Sequence, residues 1–157
     1  MNAQAATFNT GTAHWGAVFS LFMGVTSLIA AEFITVSLLT PVAQELAITE
    51  GMAGQSVTAV GVFAVITSLL LAPLTKNIDR RTILLAFSVM LVASNLIVAF
   101  APNYPIMLIG RGILGICVGG FWSMASAVTL QLVPTKDIPR ALSIVYSGVS
   151  VATIISL

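Results

Sequence analysis

The stretch Leu108 to Ala127, LIGRGILGICVGGFWSMASA, holds one arginine and five glycines in a run that carries no other charge. Twenty residues of helix rise about 30 Å, the thickness of a bilayer's hydrocarbon core. A guanidinium at such depth has no water around it unless the fold supplies a partner or a wet cavity. Arg111 is therefore both a sign that the run belongs to a bundle and the first functional suspect.

The rest of the chain agrees with a membrane setting. Of 157 residues, 58% are hydrophobic and 7% charged, and the mean hydropathy is +1.07, whereas soluble domains are roughly a quarter charged. A net charge of +1 offers no basic stripe for nucleic acid, which leaves the lipid bilayer and whatever crosses it as partners. Cys117 is the single cysteine, so an internal disulfide and a multi-cysteine metal site are excluded. His14 has no cysteine or acid beside it and reads as an ordinary juxtamembrane residue; no metal and no cofactor are expected. The leading MNAQAATFNTGTAH has no Lys or Arg, and the run after it is long enough to span, so it is not a cleavable signal peptide.

Four apolar runs reach spanning length: 17–39, 54–74, 82–101 and 105–131, each near the roughly 20 residues a bilayer needs. A fifth begins near Ala141 and is still running at Leu157. The expected fold is an all-α membrane protein with four full helices plus part of a fifth, one truncated transmembrane domain over 1–157. Lys76, Arg80 and Arg81 fall between runs two and three, and Lys136 and Arg140 between runs four and five. Basic residues accumulate in cytoplasmic loops, so the N-terminus is expected on the cytoplasmic side of a bacterial inner membrane. Trp15 and Tyr104 suit the aromatic belts at the interfaces.

The first run breaks its apolar pattern at Glu32. Counted from the helix ends, Glu32 and Arg111 lie about 10 Å and 9 Å below the same outer boundary. Two opposite charges at one level predict that the first and fourth helices are neighbours. The pair either neutralises itself and fixes the bundle, or Glu32 takes and releases protons beside Arg111, since intramembrane ionisable residues mark pathways. At about 100° per residue, Arg111, Gly115, Val118, Trp122 and Ser126 share one face. Gly115, Trp122 and Ser126 are thus candidates for a substrate cavity wall. Two other uses compete: Gly115 and Gly119 form a GxxxG spacing suited to close helix packing, and Trp122 suits an aromatic belt.

Enzymatic machinery is missing. Gly110, Gly112 and Gly115 spell GxGxxG with Asp137 downstream, but a dinucleotide site needs a strand before the turn, and these glycines lie within a membrane-length run. No Ser/His/Asp set, HExxH or P-loop occurs. The loop Asp79, Arg80, Arg81 is either topogenic or a charge latch between helix ends. Asn95, Ser143, Ser147 and Ser150 are expected to hydrogen-bond between helices.

With these residues in hand, the layout resembles the N-terminal half of a major facilitator superfamily transporter of the proton-coupled drug and metabolite exporter type. Arg111 and Gly115 resemble the fourth-helix R-x-x-Q-G motif, with Leu114 where Gln is usual. KNIDRRTIL, Lys76 to Leu84, stands where the loop motif G-x-L-a-D-R-x-G-R-R belongs; Ala72, Lys76 and Asp79 replace its first Gly, its Asp and its second Gly. Gly148 resembles the start of the fifth-helix antiporter motif. The combination is similar to the subgroup that exports purine ribonucleosides and sugars. The resemblance implies an incomplete six-helix half lacking its C-terminal part, alternating access about a midplane site, a small-molecule substrate, and proton exchange at an acid such as Glu32. A competing reading is a truncated, non-transporting helical piece that oligomerises through Gly115 and Gly119.

Overall fold

The computed structural model describes residues 13–74 and 78–156. They form helices α1 (Trp15–Ser37), α2 (Leu39–Glu45), α3 (Glu50–Leu74), α4 (Arg80–Ala99), α5 (Tyr104–Leu132) and α6 (Ile138–Ser156), with a 3-10 turn at Thr135–Asp137 before α6. No strand occurs among the described residues. Five helices, all but α2, are long and apolar enough to cross a membrane. Lys76 and Leu157 lie outside the described residues.

Helix starts follow local chemistry. The Asp79 carboxylate accepts from the Arg81 amide at 3.0 Å, and the Asn103 side chain accepts from Ile106 at 3.2 Å with Pro105 in the first turn of α5. Each side chain satisfies one of the amides that a helix start leaves without a partner. Thr49 does the same for Met52 ahead of α3, at 3.2 Å.

α1 ends at Ser37, near the expected Leu39, and a short second helix follows it directly. The two are joined through Leu38, whose N donates to Ile34 O and whose O accepts from Val42 N, both at 3.0 Å. Beyond α2, Ile48 N donates to Ala43 O and Ala47 N to Gln44 O, the paired bonds of a Schellman stop. Ala47 sits in the left-handed position of that motif, at φ 51°, where glycine is usual.

α5 is the axis of the bundle. It touches α1, α3, α4 and α6, and half of its central window is buried against 17–28% for the other spans. α3 and α4 pack along α5, and α1 pairs chiefly with α6. The glycines make the close approach to α3 possible: a Cβ on Gly115 would stand 2.5 Å from Val60 O, and one on Gly119 would stand 2.8 Å from Ala64 Cα. Lipid tails are as apolar as Leu, so contact of this kind, and not the hydrophobic effect, holds membrane helices together.

The interhelical polar contacts fall elsewhere than composition indicates. Asn95 Nδ2 donates to Leu91 O, Ser143 to Pro139 O and Ser147 to Ile144 O, each on its own helix. Ser94, one residue before Asn95, makes the crossing bond instead, donating to Gly110 O at 2.8 Å. Serine hydroxyls reach back to carbonyls three or four residues earlier at little cost, so a polar residue in an apolar run has a partner without needing a neighbouring helix.

Candidate functional site: a charged and aromatic face of the fourth span

α1 and α5 run antiparallel and touch, because His14 N donates to Leu132 O at 3.0 Å and the Phe121 ring seats over Gly24, where a Cβ would come within 2.7 Å of Phe121 Cζ. From that crossing, Glu32 lies eight residues further along α1 and Arg111 ten residues back along α5, rises of about 12 and 15 Å toward the same side. Glu32 also shares a face of α1 with the buried Val18, Leu21 and Val25, within about 40°. Helix geometry thus brings both charges to one level on neighbouring spans.

Arg111 is 2% exposed, and neither its Nε nor its Nη2 has a hydrogen-bond partner. Glu32 is half-buried, and its carboxylate and the guanidinium act on each other electrostatically. The two stand in each other's field without a hydrogen bond from Nε or Nη2. Buried donors without acceptors cost about 1–3 kcal/mol each, more when charged, so this arrangement is not the one that stability alone selects. It leaves two planar donors free to take an incoming acceptor.

Further along the same face, Gly115 is occupied by α3, as described above, and presents no wall to a cavity. Trp122 and Ser126 meet α6 instead. The Trp122 ring stacks on Tyr146 of α6 at 5.7 Å between centroids and 11° between planes, and Ser126 Oγ lies 2.8 Å from Tyr146 Oη. Tyr146 was not among the residues singled out from the sequence; its role depends on α5 and α6 meeting. A pattern signal exists only in hindsight, as an aromatic in a run of small and hydroxyl residues, IVYSGVS.

At the other end of the bundle, Asp79 caps α4 and Arg80 Nη1 donates to Ala127 O in α5 at 3.3 Å. Arg80 thereby ties the start of α4 to the C-terminal part of α5. Arg81 joins through its backbone, and its side chain is exposed. The Arg140 guanidinium lies 5.2 Å from the Trp15 ring centroid, and Tyr104 Oη donates to Gln55 Oε1 at 3.3 Å. Opposite Arg111, an apolar groove of about 510 Å³ runs past Phe63, Leu108, Ile109, Ile113 and Ile116.

The family model described as Major Facilitator Superfamily matches residues 10–157. The chain belongs to the major facilitator superfamily. Its five spans are part of the N-terminal helical half of that fold, in an integral multi-pass membrane protein. Among its relatives, the purine ribonucleoside efflux pump NepI of Salmonella typhimurium is 46% identical over 143 residues, 91% of this chain and 36% of that protein. The same protein of Salmonella typhi matches equally, at 46% over 143 residues. The transcription regulatory protein OpdE of Pseudomonas aeruginosa is 44% identical over 142 residues, 90% of this chain and 35% of that protein. The chain thus spans about a third of the length of the curated relatives it matches. No solved structure matches it.

Proposed function

We propose that this chain forms the N-terminal part of a proton-coupled exporter of small polar organic solutes, with nucleosides ahead of sugars and drugs. It works by alternating access in a bacterial inner membrane with its N-terminus in the cytoplasm. The observation that carries the reading is Arg111, buried with Nε and Nη2 unpartnered and level with the acid Glu32 on the adjacent span. Similarity to a purine ribonucleoside efflux pump supports the solute class.

The chemistry needs few parts. With Glu32 ionised, its field holds Arg111 in place with the planar fork turned to an acceptor on the solute. When Glu32 takes a proton, the guanidinium loses that anchor and the solute is released. Proton and solute binding therefore exclude one another, and the two exchange across the membrane. Arg80 on Ala127 O is the latch that holds the opposite end of the bundle in one conformation. The oligomerising reading loses ground because Gly115 and Gly119 are already filled by α3.

The full-length protein in inverted vesicles should accumulate labelled inosine when a pH gradient is imposed and should lose it on addition of a protonophore. Accumulation that ignores the gradient would remove the proton from the scheme.

A further inference from the structure

We infer that Tyr146, Trp122 and Ser126 together form a recognition platform for a planar heteroaromatic base, with Tyr146 as its contact face. The inference rests on the nucleoside reading above and adds to it the residues that read the base.

The platform is on the solute side of α5. Trp122 and Ser126 lie about 20° and 60° around the helix from Arg111, whereas Ile109, Ile113 and Ile116 of the apolar groove lie about 140–200° away. Lipid would be a poor covering for a hydroxyl pair, since a polar group in hydrocarbon is costly. Trp122 is half-buried and backs Tyr146 at 11° between planes, so one face of the tyrosine ring is supported. Tyr146 is 40% exposed, which leaves surface for a second flat ring.

The hydroxyl pair supplies the edge. Ser126 Oγ and Tyr146 Oη share one hydrogen bond at 2.8 Å, and either atom can be the donor. That bond uses one of two O–H groups and one of their lone pairs, so one donor and several acceptors remain beside the ring. A stacked base carrying a ring nitrogen or carbonyl at its rim satisfies both features. A free sugar satisfies the hydroxyls and leaves the ring bare. Arg111 lies 11 residues from Trp122, about 16 Å along α5 on the same face, at the level where the polar end of a nucleoside would extend.

The test uses the full-length protein in proteoliposomes, with inosine transport measured over a range of concentrations. Tyr146→Leu should raise the inosine KM about tenfold or more, the scale of one base–aromatic stack. Tyr146→Phe, which keeps the ring, should shift it only a few-fold and chiefly for bases with a polar edge, so inosine should be affected more than purine riboside. In the unsubstituted protein, free hypoxanthine should compete with inosine and free ribose should not, a measurement independent of whether the Leu variant folds. An unchanged inosine KM in Tyr146→Leu, or competition by ribose without competition by hypoxanthine, overturns the platform while leaving nucleoside export standing. If the unsubstituted protein moves other solutes but no inosine, the nucleoside reading is wrong and the platform goes with it.

Discussion

Replacing Gly119 by alanine adds one methyl group where α5 meets α3, and the consequence can be worked from the contact. The new Cβ would stand 2.8 Å from both the carbonyl carbon and the Cα of Ala64, and closer still to its oxygen. Carbon atoms rest at about 3.5–4.0 Å, so the helices must part by roughly 0.7 Å or more. The obstacle is backbone, which cannot swing aside as a side chain can. A radial gap of about 0.5–1 Å forfeits a quarter to a half of a dispersion well, and dispersion is most of what joins these spans. The expected loss is about 1–3 kcal/mol, the usual range for overpacking. Gly61→Ala is the control, because a Cβ there meets nothing within 4 Å and helix propensity favours alanine by about 1 kcal/mol. Equilibrium unfolding of the full-length protein by SDS titration in mixed micelles reads both. Equal stability for the two variants would refute the contact argument.

The double variant Arg111→Met with Glu32→Gln should leave stability unchanged or raise it by up to about 4 kcal/mol, because both charges of the pair are exchanged for neutral side chains of similar reach. Inosine transport should be abolished, and Arg111→Lys, which keeps charge without the planar fork, should recover little of it; the same titration paired with vesicle uptake checks both. Ala47→Gly should stabilise the protein by up to about 1 kcal/mol. The left-handed site costs an L-residue about 1–2 kcal/mol, and glycine's extra freedom in the unfolded chain returns about 0.4–1 kcal/mol of that; SDS titration reads the difference.

Four full spans and the start of a fifth were legible because apolar length is a long-range signal that no local detail overrides. α2 was not, since LTPVAQE is too short and too polar for a period to show. Glu32 and Arg111 were legible as intramembrane charges, and helix counting set them at one level. Whether they would touch was not legible, because that depends on side-chain direction and on how closely α1 approaches α5. The Gly115 face was ambiguous for a physical reason: a small residue serves a cavity and a helix contact equally well in sequence, and only the position of Val60 decides. Tyr146 could not be paired with Trp122 before α6 was set against α5. Asn95, Ser143 and Ser147 misled because their amide and hydroxyl groups found carbonyls one turn back.

Proton coupling rests on Glu32. In proteoliposomes of the full-length Glu32→Gln variant, inosine counterflow, which needs no net proton movement, should persist because the amide oxygen remains an acceptor beside Arg111, while accumulation driven by a pH gradient should be lost. Gradient-driven accumulation at the unsubstituted rate in that variant would mean that Glu32 does not carry the proton.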